Sequence, residues 1–468
     1  MEEFYLADYL RKNGRIDARA SPDYPSLCAR VRSAFLREWD EKGDLSAILQ
    51  LQKRAIIGYE NEVSYFKQKI KALLEEYEAE NTEYPPWYES LEDAIYHENW
   101  GLAGVAQWFS EAYRGSSSAK LIGDRIYFLK EGTMTLMPQT ISKNRREQLI
   151  RAFLLLTPQE RLDKDFHEVY LLDGTRITIF TGSMVKQNQE VIIFRRYVVP
   201  RYTFEEQAER GTIPAEGAEL FPLMVKLGYN IVFTGAVRSA KTTFLSTWQS
   251  YENPALEGVM IETDPEIPME RLMPGAPVVQ ILADHERLSA VSKNLLRSDA
   301  DYIILAEARD GIALELALRM AAKGTRRMKM TFHCKNPLKF PWDVAWEITK
   351  ISSADLETTA EKAAESFDYL FHFVQLKDKS RKRLRGIYEI SRDLESGQIR
   401  IVPICLYDFE TDRWGWNFHL SEEKMLAGKE EDREEFGAFE SKLRILSETY
   451  PMSTGEALHG SGKEESCG

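Results

Sequence analysis

The stretch Asn230 to Phe244 (NIVFTGAVRSAKTTF) reads as an apolar strand, a tight loop and the start of a helix. Its loop is Gly235-Ala236-Val237-Arg238-Ser239-Ala240-Lys241-Thr242-Thr243, which follows the pattern G-x-x-x-x-G-K-[ST] except that Ala240 replaces the second glycine. In such a loop, backbone N–H groups and the helix N-terminus bind phosphate. We expect Lys241 to reach the β- and γ-phosphates and the Thr242 hydroxyl to ligate Mg²⁺. The pattern predicts binding of a nucleoside triphosphate such as ATP, and the missing glycine leaves hydrolysis open.

Charged or titratable side chains follow three further predicted strands. They are Glu262 and Asp264 after Gly258–Ile261, Glu307 and Arg309 after Asp301–Leu305, and His333 after Met328–Phe332. Strands that alternate with helices, as they do here, form parallel sheets, and ligands bind at the carboxyl ends of such strands. The sequence therefore predicts one site at the edge where the phosphate-binding loop also lies.

Phosphoryl transfer to water requires metal placement, an oriented nucleophile and charge neutralisation. Glu307 is suited to placing Mg²⁺ or polarising a water, Glu262 and Asp264 to activating the nucleophile, and His333 to contacting the γ-phosphate. Each has a structural alternative. The two acids can cap a helix N-terminus, His333 can be an ordinary histidine at a strand end, and Arg309 can pair with a neighbouring carboxylate.

Composition narrows the class of protein. The chain has 468 residues, which predicts two or three domains, and its net charge of −13 argues against nonspecific nucleic-acid binding. It has no run of 18 apolar residues, no apolar segment after its acidic start and four scattered cysteines. These features predict a cytoplasmic protein in a reducing compartment.

Changes in pattern along the chain predict its organisation. We expect a helical accessory region over 1–115, an α+β domain over 116–200, a linker over 201–215, an α/β P-loop domain over 216–430, and a C-terminal helix with a disordered tail over 431–468. Trp87, Trp100 and Trp108 indicate either a docking surface for a membrane partner or a small helical core. The basic turn Lys377 to Arg385 is either a solvated hairpin tip or a contact for anionic lipid or a partner.

Over roughly residues 115–410 the chain resembles the ATPases of type II and type IV secretion, most of all the Flp/Tad pilus assembly ATPases of the CpaF type. The family loop GGTGSGKTT corresponds to GAVRSAKTT, and its acidic box to Ile261-Glu262-Thr263-Asp264. Its Walker B run PDRIIVGEVRGGEA corresponds to ADYIILAEARDG, and its His box TTIHANSP to MTFHCKNP. The segments LLDGTRITIF and VIIFRRYVVPRYTFEE also match the family pattern.

The resemblance implies a RecA-like ATPase domain preceded by a smaller domain, with nucleotide between the two. It implies that Arg195 and Arg196 contact phosphate, although solvated strand-edge arginines are an equal alternative. It further implies a homo-hexamer that uses ATP and Mg²⁺ and lies at the inner face of the cell membrane. There it would attach through an inner-membrane platform protein and not through a membrane segment of its own. The resemblance implies no nucleic-acid partner.

Four positions depart from the family pattern: Arg238 and Ala240 in the loop, Ala306 in place of a glycine before Glu307, and Arg327 in place of a glycine before the His box. If φ at position 240 is positive, a Cβ there costs about 1–2 kcal/mol, which weakens nucleotide affinity by roughly tenfold. Two hypotheses follow. One is an ATP-hydrolysing motor subunit, and the other is a non-hydrolysing paralogue that acts as a nucleotide-gated structural subunit. Lys241, Thr242, Glu307 and His333 favour the first.

Overall fold

The computed structural model describes residues 23–154, 165–196, 201–263, 265–283, 285–295, 299–308, 310–393 and 396–452. The chain divides into two compact units, Met1–Val198 and Val199–Gly468. Of the predicted segments, the tail beyond residue 452 lies outside the described residues, as do Asp264 and Arg309.

In the part of the chain that the structure describes, the first unit begins with four helices that share one apolar core. They are α1 (Tyr24–Lys42), α2 (Leu45–Ile56), α3 (Glu60–Glu76) and α4 (Leu91–Asn99). Phe35 and Phe66 stack in this core at 5.6 Å between ring centroids, and Trp100 packs 4.5 Å from Phe35. Trp108 is fully buried in the neighbouring core of the same unit. Core packing thus accounts for Trp100 and Trp108 without a docking surface.

The same unit continues as an antiparallel sheet in the order β3-β2-β1-β6-β5-β4, covered by one helix. Its elements are β1 (Ser118–Ile122), β2 (Arg125–Lys130), β3 (Thr133–Thr140), α5 (Lys143–Leu154), β4 (Phe166–Tyr170), β5 (Arg176–Phe180) and β6 (Val191–Arg195). The short 3₁₀ turn Ala103–Phe109 contributes Val105 and Trp108 to the core beneath this sheet. Two further 3₁₀ turns span Glu111–Tyr113 and Gly182–Met184.

The second unit is built on a nine-stranded sheet in the order β15-β14-β13-β12-β7-β11-β10-β8-β9. Its strands are β7 (Ile231–Gly235), β8 (Gly258–Glu262), β9 (Val278–Leu282), β10 (Tyr302–Ala308), β11 (Lys329–Phe332), β12 (Tyr369–Gln375), β13 (Lys382–Arg392), β14 (Ile399–Asp408) and β15 (Arg413–Trp416). Strands β12, β7, β11, β10, β8 and β9 pair in parallel, and β12 to β15 pair antiparallel. The predicted parallel α/β domain with a β-rich end is confirmed.

Helices cover both faces of this sheet. They are α6 (Phe204–Glu209), α7 (Leu220–Lys226), α8 (Lys241–Ser250), α9 (Met269–Leu272), α10 (His285–Leu295), α11 (Gly311–Ala321), α12 (Phe340–Thr349), α13 (Leu356–Ser366), α14 (Glu422–Glu431) and α15 (Arg433–Thr449), with a 3₁₀ turn at Pro337–Lys339. Successive residues of β7 point to opposite faces. Phe233 packs with Trp248 of α8, whereas Val232 packs on the side of α11, α12 and α13.

One segment differs from its predicted structure. Residues 201–215 were expected to form a linker, but they contain helix α6, and Phe204 is fully buried in the core beside α8. Thr203 and Glu206 form a reciprocal capping box that starts this helix. The signal T-x-x-E is present in the sequence, and it outweighs the flanking Pro200 and Gly211 that suggested a linker.

Arg327, one of the four departures from the family pattern, holds a buried ion-pair network at the end of the sheet opposite to the phosphate-binding loop. Its guanidinium lies 2.5 Å from Glu252 Oε1 and 2.5 Å from Glu431 Oε1. Glu252 also accepts from Lys329 Nζ at 2.6 Å, and both groups are almost fully buried. Arg327 adopts a positive φ of 58°, which is consistent with the glycine that the family pattern has there.

Three cysteines, Cys28, Cys334 and Cys405, are buried free thiols. Among the described residues, none of the helices is long and apolar enough to cross a membrane.

Candidate active site

The phosphate-binding loop connects β7 to α8. All five residues of β7 are buried, and the chain leaves the sheet at Gly235. Ala236, Val237 and Arg238 are exposed, Ser239 is buried, and Lys241 begins the helix, with Thr242 and Thr243 half-buried in its first turn. The strand, loop and helix therefore follow each other as the sequence predicts.

Gly235 is required by its surroundings. Its φ is 138°, and a Cβ there would lie 2.1 Å from the carbonyl oxygen of Phe373 in the neighbouring strand β12. Such a distance is far below van der Waals contact, and the obstacle is backbone rather than a flexible side chain. The first glycine of the pattern thus has a steric cause.

Two residues of the loop have left-handed backbone conformations. Arg238 has a φ of 64° and Ala240 a φ of 82°. Because a residue with a Cβ is strained at positive φ, this conformation of Ala240 costs about 1–2 kcal/mol relative to glycine. The loop therefore keeps a glycine-like shape at position 240 without the glycine.

Lys241 lies over the loop instead of pointing into solvent. Its Nζ donates to the carbonyl oxygens of Gly235 at 3.1 Å and Ala236 at 2.8 Å. It also lies 3.4 Å from Nδ1 of His333, and the whole residue is only 7% exposed. Because phosphate oxygens would be stronger partners than two neutral carbonyls, this ammonium is available to a ligand bound in the loop.

His333 links the loop to the neighbouring strands. Its Nδ1 lies 3.3 Å from the carbonyl oxygen of Gly235, and its Nε2 lies 3.5 Å from Oε1 of Glu307. Glu307 sits within β10, next to the end of β11 that leads into His333. The structure thus brings Lys241, His333 and Glu307 together at the carboxyl edge of the sheet.

Glu262 is turned into its own loop. Its Oε1 accepts from the backbone N–H groups of Glu266 and Ile267, both at 3.1 Å, and its Oε2 lies 3.4 Å from Nε2 of Gln280. Burial raises the pKa of this carboxyl to about 7, although the hydrogen bonds from Ile267 and Glu266 oppose the shift. These contacts favour the capping alternative over nucleophile activation, with the difference that Glu262 caps a loop rather than a helix.

Arg195 and Arg196 belong to the first unit. Arg195 is exposed at the end of β6. The guanidinium of Arg196 donates to the carbonyl oxygens of Ser116 and Tyr113, both at 3.0 Å, and to that of Trp108, whose ring lies 3.8 Å away. Burial lowers the pKa of Arg196. A phosphate contact by Arg196 would therefore compete with three hydrogen bonds inside its own unit.

Sequence patterns gave no signal for His372, which lies beside the loop strand. Its Nδ1 is 2.9 Å from the hydroxyl of Thr234, and the side chain is buried. Burial, and then the charges of Arg385 and Lys241, lower its pKa to about 4. This histidine is therefore neutral at physiological pH and adds no charge next to the phosphate-binding loop.

The basic turn between β12 and β13 carries its own counter-charges. Arg381 and Arg383 pair with Asp412 at 3.1 and 3.4 Å. Asp378 accepts from the N–H and the hydroxyl of Ser380. These contacts are typical of a solvated hairpin tip.

Magnesium nucleotide is compatible with the residues present. The hydroxyl oxygen of Ser239 is buried inside the loop and has no hydrogen-bond partner among the described residues, although it lies close to Gly235. A phosphate oxygen in the loop would supply that partner. Mg²⁺ in nucleotide sites is usually held by phosphates and waters together with one or two protein ligands, and Thr242 and Glu307 are the residues available for this here.

Part of this chain matches a known protein family and a known protein. Residues 172–340 match the family described as "Type II/IV secretion system protein". The competence protein ComGA of Bacillus subtilis is 30% identical over 140 residues, which are 29% of this chain and 38% of ComGA. The chain thus matches well under half the length of this relative.

Several solved structures match this chain at low sequence identity. The VirB11 ATPase of the Brucella suis type IV secretion system has 16% identity and a TM-score of 0.32, with 61% of this chain and 95% of VirB11 covered. The pilus retraction motor PilT with bound ADP has 13% identity and a TM-score of 0.43, with 76% and 96% covered. The Legionella pneumophila ATPase DotB has 15% identity and a TM-score of 0.42, with 75% and 90% covered.

The segment that matches the family contains the phosphate-binding loop, Glu262, Glu307 and His333. Glu262 and Glu307 lie within strands β8 and β10, and His333 directly follows β11. Residues 172–340 of this chain are therefore similar to the type II/IV secretion system protein family.

Proposed function

We propose that this protein binds and hydrolyses ATP as a motor subunit of a type II/IV secretion or pilus assembly machine. The observation that carries the proposal is the meeting of Lys241, His333 and Glu307 at one edge, with 3.4 and 3.5 Å between successive side chains. A cation, an imidazole and a carboxylate beside a phosphate-binding loop are the groups that phosphoryl transfer to water requires.

Each of these groups has a proposed role. Lys241 exchanges its two loop carbonyls for the β- and γ-phosphate oxygens of ATP and neutralises their charge. Glu307 accepts a hydrogen bond from the attacking water and orients it toward the γ-phosphorus. His333, which lies between Lys241 and Glu307, detects whether the γ-phosphate is present.

Magnesium would be held by the Thr242 hydroxyl and, directly or through water, by Glu307. When bound, the ion would supply positive charge that stabilises the negative charge developing on the phosphate during transfer. The remaining chemistry falls to the side chains named above, because Glu262 is already engaged by the N–H groups of its own loop.

A second candidate is the non-hydrolysing paralogue, which holds nucleotide and stabilises an assembly without turnover. The observation that favours it is strain in the loop, since both Arg238 and Ala240 have positive φ. Strain of this size weakens a multidentate phosphate site without abolishing it. We therefore propose a slow ATPase and not a non-hydrolysing subunit.

The sequence resemblance, including LLDGTRITIF and the four nucleotide motifs, supports finer assignments. We propose that the subunit acts in a Flp-type pilus or secretion machine and assembles as a homo-hexamer. We also propose that it attaches at the inner face of the cell membrane through a platform protein.

The test is phosphate release from the full-length protein with Mg-ATP, together with ATP binding measured separately by equilibrium dialysis. Lys241→Ala should abolish both, whereas Glu307→Gln should abolish release and preserve binding. Lys350→Ala is the matched control, since this exposed lysine pairs with Glu347 at 2.7 Å. Binding that depends on Lys241 without any release would select the non-hydrolysing paralogue. Absence of both in the unmodified protein would refute nucleotide binding itself.

A further inference from the structure

A cavity of about 720 Å³ lies in the Val199–Gly468 unit. None of the residues that line it belongs to the phosphate-binding loop. One wall is the segment Lys335–Lys339 with Asp343 of α12. The other is formed by β13, β14 and the turn that follows β14, through Arg385, Tyr388, Tyr407 and Phe409. Its volume falls in the range of clefts that bind small organic molecules.

The cavity lies on the other side of the sheet from the phosphate-binding helix. Phe340 and Tyr388 belong to the core on the side of α11, α12 and α13. Phe244 and Trp248 of α8 belong to the core on the opposite side. A ligand in this cavity would therefore occupy a site distinct from that of ATP.

Three cations converge on the cavity without carboxylate partners. Among the described residues, the side chains of Lys335 and Lys339 form no ion pair or hydrogen bond. The guanidinium of Arg385 lies 5.8 Å from the ring of Phe409, and its charge also acts on His372. The single carboxylate in the lining, Asp343, accepts from the thiol of Cys334 at 3.3 Å. Unpaired cations are notable in a chain with a net charge of −13, and they give the cavity a positive potential.

The rest of the lining is apolar and aromatic. Tyr388, Tyr407 and Phe409 provide three rings, and Pro337, Pro403 and Leu406 are also part of the lining. Phe409 is 56% exposed, so its ring is available to stack against a ligand. Rings that line a concave site accept planar groups, and cations at its rim accept anionic groups.

We propose that this cavity binds a small organic anion that carries an aromatic ring, of which a nucleoside monophosphate is the simplest example. The ring lies against Tyr407 and Phe409, and the anionic group lies among Lys335, Lys339 and Arg385. The site is independent of the ATP site, and the assignment holds whether or not the protein hydrolyses ATP.

The test is a fluorescence anisotropy titration of N-methylanthraniloyl-GMP with the full-length protein, in saturating Mg-ADP so that the phosphate-binding loop is filled. Unlabelled GMP should compete. Guanosine alone and inorganic phosphate alone should compete far more weakly, because each supplies one of the two groups that the cavity accepts.

Variants assign the bound probe to the cavity. Arg385→Ala should weaken binding about tenfold through loss of a charge-assisted contact, and Phe409→Ala at least about fivefold through loss of stacking. Both side chains are exposed, so neither change removes core packing. Lys377→Ala, which removes an exposed cation outside the cavity, should leave the affinity unchanged, as should Lys241→Ala.

Three results would overturn the proposal: no binding at about 1 mM probe, where even weak small-molecule sites begin to fill; binding that depends on Lys241; or binding insensitive to Arg385. Capture of an acidic, tyrosine-containing peptide by the same residues, with no competition from GMP, would show a protein-docking groove instead. None of these results depends on ATP hydrolysis, so they leave the proposed motor function to its own test.

Discussion

The imidazole of His333 and the carboxylate of Glu307 face each other across two neighbouring parallel strands, with 3.5 Å between Nε2 and Oε1. The same imidazole reaches the Gly235 carbonyl and Lys241 through its other nitrogen. One ring thus connects the phosphate-binding loop to the acid that we assign to water orientation.

Replacing His333 tests this connection. We expect His333→Ala to lower kcat about 10- to 100-fold and to change KM by less than about threefold, because the imidazole orients groups in the transition state more than it binds ATP. Steady-state phosphate release gives both constants, and thermal unfolding checks that the fold is intact. Equal losses in kcat and in ATP affinity would contradict the assigned role.

Restoring the second glycine should strengthen nucleotide binding. Ala240→Gly relieves the strain at a φ of 82°, so we expect ATP affinity to rise about five- to tenfold. Ala236→Gly is the matched control, since Ala236 lies in the same loop but is not among the residues with positive φ. An equal gain from both variants would mean that loop flexibility, not strain at position 240, limits affinity.

Arg327 is expected to contribute to stability and not to nucleotide binding. Arg327→Gly removes the pairs with Glu252 and Glu431 and should lower the free energy of unfolding by about 2–3 kcal/mol, even though glycine suits the positive φ. Urea denaturation measures the loss. Arg319→Ala, which removes an exposed pair with Glu315, should change stability by no more than about 0.5 kcal/mol. If Arg327→Gly also weakened ATP binding, its separation from the site would be disproved.

The raised pKa of Glu262 predicts a pH-dependent stability. Burial raises the pKa of this carboxyl from 4.5 in the unfolded chain to about 7, so the folded state binds the proton more tightly than the unfolded state. The resulting stabilisation is complete below pH 4.5 and is lost as the pH rises through about 7, with a total of about 3 kcal/mol.

Glu262→Gln isolates this contribution. The variant carries no titrating group at position 262, so between pH 5 and pH 8 the unmodified protein should lose stability relative to it. Urea unfolding at several pH values in this range measures the difference. A difference that stays constant with pH would show that Glu262 is ionised throughout.

Local patterns predict the end of β11 at Phe332 correctly, but β8 continues through Glu262 and β10 continues to Ala308, so that Glu307 lies within its strand instead of after it. The strands that contain Glu262 and Glu307, and the strand before His333, include short apolar runs. Their parallel pairing follows from the alternation with helices. Possible backbone strain at Ala240 could also be predicted from the sequence, because the pattern shows which position lacks its usual glycine.

The direction in which a side chain points could not be predicted from the sequence in the same way. Glu262 is the last residue of β8, and the N–H groups of Glu266 and Ile267 both reach its carboxylate. His372 lies in an apolar run, YLFHFVQ, that reads as a buried strand. Only the pairing of β12 with β7, from distant parts of the sequence, brings it to Thr234.

The place of β7 in its sheet has a consequence for biosynthesis. This strand pairs with β11 on one side and β12 on the other, and both are made well after it. Long-range parallel pairings form slowly because the intervening chain must first close a large loop. A nascent or truncated chain that ends before Tyr369 would contain every motif residue of the loop and still lack the strand against which Gly235 is fitted. Nucleotide binding should therefore mature late in synthesis, after the ribosome has released β12.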